Sequence, residues 1–372
     1  MLKSESFLCS IQVTASAPTG SRTQPMHIGL LTSIGDTLDS FLLEIADDLR
    51  GRGHEVFLAA GTPTKKATST TLPGITRRPS VSNLHARRNL SGWVATNKID
   101  VIISSTATAS TLARLTMRTC PVIYFCHGLH WQNNSGTSGL VWKTIETALL
   151  PNTAGVITLN NDDESWFRHK APQIPQLRLH YGVGVDPLQY PRVDPPESKT
   201  TKLIWIGELT ERKNPLSAIH VASALRRLGC DFHLDMLGVG PMRDQTLAAI
   251  RSSGLADDVI WHGRVPAQPF MVQSHALMHT ARWEGLPRVF LEALSTGRQI
   301  FSYDVKGTRD LPHVRLSPFA DTEHMARNIA EWSTQRDLQR PLPELSDLSY
   351  ARAAEQIDHF VQAIGTASSL VE

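Results

Sequence analysis

From Met26 onward, short apolar runs alternate with amphipathic stretches, and after one polar break the alternation begins again. His27 to Thr32, Val56 to Ala60, Val101 to Ser104, Val122 to Phe125 and Val156 to Leu159 read as buried strands, with a helix at Asp39 to Arg52 ending at Gly53. Runs this short, rich in branched residues and separated by helical segments, specify parallel strands joined by crossover helices. The proline-rich stretch PLQYPRVDPPESKTTK follows Asp186 and reads as a linker. Leu203 to Ile206, a helix from Pro215 to Leu228, Phe232 to Leu237, a helix from Met242 to Ser252 and Val259 to Trp261 then repeat the pattern. The expected organisation is a polar extension over 1–25, a first doubly wound domain over 26–186 and a linker over 187–200. A second such domain follows over 201–345, with a terminal helical segment over 346–372. Open parallel sheets take ligands at the carboxyl ends of their strands, so two of them face each other across a cleft.

Length and composition agree. A chain of 372 residues divides into about two domains, and 41% hydrophobic with 19% charged residues is ordinary for a globular protein. A net charge of +2 excludes a nucleic-acid polycation. Cys9, Cys120, Cys126 and Cys230 show no metal-ligand spacing and suggest a reducing compartment, with Cys120 and Cys126 as small core residues. No apolar run approaches the roughly 20 residues that span a bilayer. The first 25 residues are polar and rich in Ser and Thr, make a poor signal peptide, and point to Met26 as the natural start.

The stretch Thr280 to Phe301, TARWEGLPRVFLEALSTGRQIF, carries the chemistry. Glu284 and Glu292 stand eight positions apart, with Gly285, Leu286, Pro287 and Arg288 between them and an apolar-periodic helix starting at Pro287 or Arg288. A helix N-terminus reached through a glycine-containing loop offers free N–H groups to an anion. Carboxylates on either side suit a phosphate flanked by hydroxyl-bearing groups, which is the shape of a nucleotide sugar. Ile206 to Pro215 runs from a strand end into a helix start, and Arg212 and Lys213 there present fixed positive charge to a leaving diphosphate. Gly207 in that turn, and Gly238 and Gly240 in Leu237-Gly238-Val239-Gly240-Pro241, allow close backbone approach to a ligand. The last of these is an incomplete dinucleotide fingerprint, which speaks against a nicotinamide dehydrogenase.

The segment Glu284 to Glu292, continued through Gly297, Tyr303-Asp304-Val305 and Lys306 to Leu311, resembles the glutamate signature of the family-4 retaining glycosyltransferases, and the overall resemblance runs from Met26 to about Ala363. It implies the GT-B fold, an α/β architecture of two Rossmann-like domains, with the helix from about Tyr350 to Ile364 crossing back onto the first. The resemblance further implies that Glu292 holds the ribose, Glu284 the transferred sugar, and Arg212 and Lys213 the departing diphosphate. Glu208 stands where that family carries an arginine, a place Arg212 could fill. Arg264, in His262-Gly263-Arg264-Val265, falls at the turn that meets the nucleotide base. His127, in Tyr124-Phe125-Cys126-His127-Gly128, matches a histidine-glycine pair near the transferred sugar, with His130 as second choice. Gly35 and Asp36 lie on the loop after the first strand, which is either an acceptor or phosphate loop or a plain turn capped by Asp39 or Ser40.

Between Arg50 and Cys120, eleven basic residues meet only Glu55 and Asp100, an excess that suggests an anionic membrane surface beneath the first domain. HARRNLSGW, VITLNNDDESWF and YGVGVD resemble enzymes that extend lipid-linked surface polysaccharides. The expected activity is metal-independent transfer, with retention, of a hexose or N-acetylhexosamine from a nucleotide-diphosphate sugar, UDP-linked first and GDP-mannose second. The acceptor would be a lipid-diphosphate-linked or oligosaccharide molecule, with no cofactor beyond the donor, no nucleic-acid partner, and a cytoplasmic location peripheral to the inner face of the membrane. A nucleotide-sugar epimerase on the same fold and a catalytically silent sugar-nucleotide-binding subunit are the alternatives.

Overall fold

A computed structural model describes residues 24–77, 82–129, 131, 137–336 and 341–369. The proposed extension, Arg78 and His130 lie largely or wholly outside these residues. The first half forms β1 (His27–Thr32), α1 (Gly35–Phe41), α2 (Leu43–Gly51), β2 (Glu55–Ala60), β3 (Thr70–Thr71), α3 (Ser82–Thr96), β4 (Val101–Ser105), α4 (Ala107–Thr116), β5 (Val122–Phe125), α5 (Thr137–Leu149), β6 (Gly155–Thr158), α6 (Asn161–Lys170) and β7 (Gln176–Arg178). Its strands pair in the order β3-β2-β1-β4-β5-β6-β7, all parallel. The second half forms β8 (Thr201–Ile206), α7 (Pro215–Arg227), β9 (Phe232–Leu237), α8 (Arg243–Ser252), β10 (Val259–Gly263), α9 (Gln268–Gln273), β11 (Ala276–His279), α10 (Arg288–Thr296), β12 (Gln299–Tyr303), β13 (Val314–Ser317), α11 (Thr322–Gln335) and α12 (Tyr350–Ser369). There the order is β10-β9-β8-β11-β12-β13, again parallel.

Each sheet reverses its winding once, between β1 and β4 and between β8 and β11. The carboxyl ends at those two reversals are where a ligand finds a crevice not covered by crossover helices. Strand burial explains the apolar runs read from the sequence: every residue of β4, β5 and β6 is buried, as expected where helices cover both faces of a sheet; β11 and β12, equally buried, were not read beforehand.

One element departs from expectation. The helix anticipated at Asp39 to Arg52 begins earlier, at Gly35, and is interrupted at Leu42, whose backbone leaves the helical region at φ −124°. Gly35 permits the early start because a Cβ there would sit 2.1 Å from the Pro63 carbonyl oxygen. Asp39 does not cap the helix; its carboxylate accepts from the Lys65 and Lys66 amides at 2.7 and 3.2 Å.

Helix α12 belongs by sequence to the end of the second half but packs into the first core, where Ala353, Ala354, Ile357, Phe360 and Val361 join residues of β1, α2 and β6. A polar pin fixes it. The Met26 amide donates to His54 Nδ1 at 3.2 Å, so Nε2 carries the hydrogen and donates to Asp358 Oδ1 at 3.0 Å. Both side chains are almost completely enclosed. Replacing Asp358 by Leu leaves the His54 N–H unpaired in the core and should cost about 1–3 kcal/mol. Urea melts should show that loss, with Asp358→Asn recovering most of it.

Candidate functional site

The two sheet reversals face each other across a cavity of about 750 Å³. Its second-domain wall is built by two loops laced together. The Thr280 hydroxyl accepts from the buried Trp205 indole at 2.9 Å and reaches the Asn214 carbonyl at 2.9 Å, while the Arg282 amide donates to the Arg212 carbonyl at 2.8 Å. The turn before α7 requires Asn214 at φ 54°, a left-handed conformation that asparagine tolerates. Pro215 then starts the helix. This lacing points Arg212 and Lys213 at the loop after β11.

They converge there on Glu284. Arg212 donates to one carboxylate oxygen at 2.8 Å and Lys213 to the other at 2.5 Å. The Glu284 backbone is equally fixed, its amide donating to the Lys306 carbonyl at 3.0 Å. Burial of Glu284 opposes its charge, yet the hydrogen-bonded Lys213 and Arg212, with the His279 ring beside them, outweigh that and hold the carboxyl far below the usual range. His279, unforeseen from the sequence, ends β11 with 2% exposure. Its Nε2 is 3.5 Å from Glu284 Oε1, beyond a hydrogen bond, and burial lowers its proton affinity.

On the opposite wall, His127 follows β5, stacked on Phe125 at 4.5 Å between ring centroids. Its Nε2 shares a hydrogen with Ser105 Oγ at 2.6 Å. Burial lowers its pKa to about 4, so the ring is neutral at pH 7 and is a hydrogen-bonding group. Phe41, Tyr124 and Trp142 extend this wall, and Trp283 faces them from the second domain.

The walls meet at Gly285. A Cβ there would lie 1.9 Å from the His127 carbonyl oxygen, so only glycine lets the two loops touch. Asn160 Nδ2 donates to the Gly285 carbonyl at 3.0 Å. Beside it, Lys306 crosses from the second domain to Asp163 at 2.6 Å and to the Leu129 carbonyl at 3.1 Å, with both charged groups buried. Arg178 and the Asn161 amide reach Asp310 in the same way, at 3.3 and 3.1 Å. Asn160 and Asp163, three apart at the start of α6, are a readable helix cap. Their second use across the cleft had no local signal.

The remaining expected positions divide. Leu286 and Arg288 line the cavity, but the Arg288 guanidinium binds the Ser40 carbonyl and the Tyr350 hydroxyl and so ties the two domains. Pro287 is the N-cap of α10. Glu292 lies one turn past Arg288, outside the cavity lining, and burial raises its carboxyl against the opposing pull of Arg288 and Tyr190. Gly207, Gly238 and Gly240 sit together at strand ends, but a Cβ on Gly238 or Gly240 would strike the Gly207 carbonyl oxygen or the Leu209 backbone. Their missing side chains are thus used by neighbouring backbone. Arg264 is exposed near Lys65 of the other domain. After β1, the residues lining the cavity are Ile34, Thr37 and Phe41; Asp36 instead pairs with Lys65 at 2.9 Å, and Gly35 packs on Pro63. Glu208 is exposed, with no ion pair among the described residues, whereas Arg212 supplies the second cation at Glu284.

The basic window is smaller than its sequence count. Arg114 is fully buried with Glu146, and Arg50, Arg52 and Lys65 pair with Asp47, Asp48 and Asp36. Three of those partners precede the window, which is why counting within it missed them. Arg77, Arg87, Arg88, Lys98 and Arg118 remain exposed without an ion pair among the described residues.

Residues 39–180 match the family model described as Glycosyltransferase Family 4, and residues 200–335 match that described as Glycosyl transferases group 1. The chain is 26% identical over 156 residues to the 2-deoxystreptamine glucosyltransferase of Streptomyces kanamyceticus, covering 40% of this chain and 39% of that protein. It is 25% identical over 259 residues to the alpha-D-kanosaminyltransferase of the same organism, covering 60% of this chain and 64% of that one. The chain thus spans less than two thirds of either curated relative. Among solved structures, sucrose-phosphate synthase from Thermosynechococcus elongatus superposes with a TM-score of 0.76 at 14% identity, covering 92% of this chain and all of that one. Anabaena HepE in complex with UDP-glucose gives 0.66 at 15%, covering 93% and 99%. The lipopolysaccharide outer core galactosyltransferase WaaB gives 0.65 at 14%, covering 91% and 100%.

The His127 environment has a measurable signature. An unfolded chain protonates this imidazole near pH 6.5 and the native protein only near 4. As pH falls between those values the unfolded state takes up the proton that the native site refuses, so the native state loses stability there and not above. Urea melts of wild type and His127→Phe should therefore shift relative to each other between pH 7 and pH 4.5, with wild type losing ground. A difference independent of pH would contradict the neutral, enclosed imidazole.

Proposed function

We propose, from the fact that this chain belongs to the glycosyltransferases whose family models match both of its halves, that it moves a hexose or N-acetylhexosamine from a nucleotide-diphosphate sugar to an acceptor held by the first domain. The observation that carries this is the Glu284 cluster: a buried carboxylate with Arg212 and Lys213 on it, at the strand ends that face His127. Two cations held against one anion leave a surplus of positive charge, which suits the diphosphate that departs. UDP is the favoured nucleotide, supported by the UDP-glucose complex of a chain with the same fold.

In the reaction we infer, the acceptor hydroxyl attacks the anomeric carbon on the face the diphosphate is leaving. The bond from that carbon to the phosphate oxygen breaks, a bond to the acceptor oxygen forms, and the hydroxyl proton passes to the departing phosphate. Configuration is retained. Arg212 and Lys213 take up the charge that builds on the diphosphate, so the positive charge for departure comes from side chains. Glu284 orients the sugar, Glu292 turns toward the ribose, and neutral His127 hydrogen-bonds a sugar hydroxyl through the ring nitrogen not engaged by Ser105.

The acceptor pocket is lined by the aromatic side chains of Phe41, Trp142 and Trp283, which suit the apolar faces of sugar rings. Its one lining carboxylate is Glu284, already compensated, and Arg77 stands on the rim. That chemistry favours a neutral or anionic acceptor, such as a phosphate-linked sugar, over a polycationic aminocyclitol. A thermal-shift screen of UDP-glucose, UDP-N-acetylglucosamine and GDP-mannose should show selective stabilisation by one donor, about 2.7 kcal/mol at a hundredfold excess over Kd. With that donor, Glu284→Ala and Lys213→Ala should each lower kcat by about a hundredfold or more. Full turnover in either variant, or no donor binding in the wild type, would refute the assignment.

We also place the first domain on an anionic membrane surface. No helix among the described residues is long and apolar enough to cross a bilayer. Leu115, Leu140 and Val141 are exposed on α4 and α5, in the same domain as the exposed Arg77, Arg87, Arg88 and Arg118, which make no ion pair among the described residues. Apolar side chains combined with cations worth about 1 kcal/mol each at an acidic surface would hold a cytoplasmic chain peripherally. Flotation with phosphatidylglycerol vesicles at low salt should carry the protein upward, and Arg87→Glu with Arg88→Glu should leave it in the pellet.

A further inference from the structure

Beside Glu284, and outside the cavity lining, stands one buried group that the proposed reaction does not use. His279 is enclosed at the end of β11, its ring edge-on to Phe290 at 5.0 Å between centroids. Its Nε2 has no hydrogen-bond partner among the described residues, and Glu284 Oε1 stands 3.5 Å away. Buried ring nitrogens are almost always paired. Here the acceptor within reach is already taken by Lys213 at 2.5 Å.

The competition has a direction. Lys213 and Arg212 can each leave Glu284 for a stronger anion, because both side chains retain some exposure and flexible stems, whereas His279 is held by its strand and by Phe290. When they leave, Glu284 remains buried, charged and without a donor. A contraction of roughly half an ångström brings Nε2–H into hydrogen-bonding range of Oε1. We propose that His279 is a positioning residue that takes hold of Glu284 when a diphosphate draws Arg212 and Lys213 away, so that the carboxylate stays aimed at the sugar. This rests on reading the cleft as a nucleotide-sugar site.

Side-chain nitrogen-15 NMR on the full chain tests the contact without turnover, using inorganic pyrophosphate as the probe and the spectrum of His279→Gln to assign the signal. Saturating pyrophosphate should move the Nε2 resonance to that of a hydrogen-bonded N–H in the wild type and leave it unmoved in Glu284→Ala. An unmoved resonance in the wild type overturns the proposal. With UDP-glucose as donor, His279→Leu should lower kcat about tenfold with Kd for UDP within twofold, and His279→Gln, which keeps a donor, should restore most of it. Wild-type turnover in His279→Leu, or a loss of UDP affinity as large as the loss of turnover, overturns it too. Should His279→Leu not fold, the resonance and the His279→Gln kinetics decide. A wild type that shows the pyrophosphate shift but does not bind UDP-glucose would refute the donor reading and leave the His279 contact standing.

Discussion

A carboxylate buried at an interface between two loops must be neutralised or surrounded by donors, and Glu284 is the case on which this cleft depends. Its side chain is only 9% exposed, and removal from water alone would drive it toward the protonated form. The loop after β8 and the loop after β11 therefore have to arrive together, because one carries the charge and the other its compensation. Thr280, bridging the Trp205 indole and the Asn214 carbonyl, is the joint that makes them do so. The left-handed turn at Asn214 and the proline that follows are consequences of that demand: they end the loop where Lys213 can reach.

The same stretch also joins the domains. Glu284 faces its cations, the next residue packs on the His127 carbonyl, and the residue after that fills the space left by Gly182. Lys306, whose carbonyl holds the Glu284 amide, sends its ammonium to buried Asp163 across the interface. Breaking one partner of such a buried pair costs far more than the pair contributes as a unit. Domain apposition and the geometry at Glu284 therefore share a short run of backbone, and a shift in one is felt in the other. Arg288 adds a third tie, from the start of α10 to Ser40 and Tyr350.

How much of this could be read beforehand follows from the range of the interactions. Strands β1, β2, β4 to β6 and β8 to β10 were legible because a buried strand leaves an apolar run that needs no partner information, whereas β11 and β12, just as buried, were passed over. The glutamate segment was legible for a similar reason: a helix start, a glycine and two carboxylates lie within ten residues. Compensation was not. Glu284 meets Arg212 and Lys213 some seventy positions away, and Asp163 meets Lys306 more than one hundred and forty away. His279 ends β11, a strand passed over in the sequence, and its partner Glu284 lies on the following loop. The basic window misled in the opposite sense, since Asp36, Asp47 and Asp48 fall just outside it in sequence and inside it in space. The break at Leu42 was also invisible, because the apolar period continues through it and only the packing of Gly35 on Pro63 sets where the first helix must begin.

Glu208 shows how the charge balance constrains the site more than any one position does. A carboxylate on the turn after β8 would, by position alone, offset one of the cations gathered at Glu284. In this chain its side chain points to solvent while Leu209 beside it is wholly buried, so the turn keeps its anchor and sheds the charge outward. Arg212, four residues on, brings the missing cation to the second oxygen of Glu284 and lies against the Trp283 ring at 5.3 Å. The outcome is two cations on one buried anion, a cluster of net +1. With Glu284 between them the two cations share one buried anion, and the carboxylate is fixed in turn through both of its oxygens.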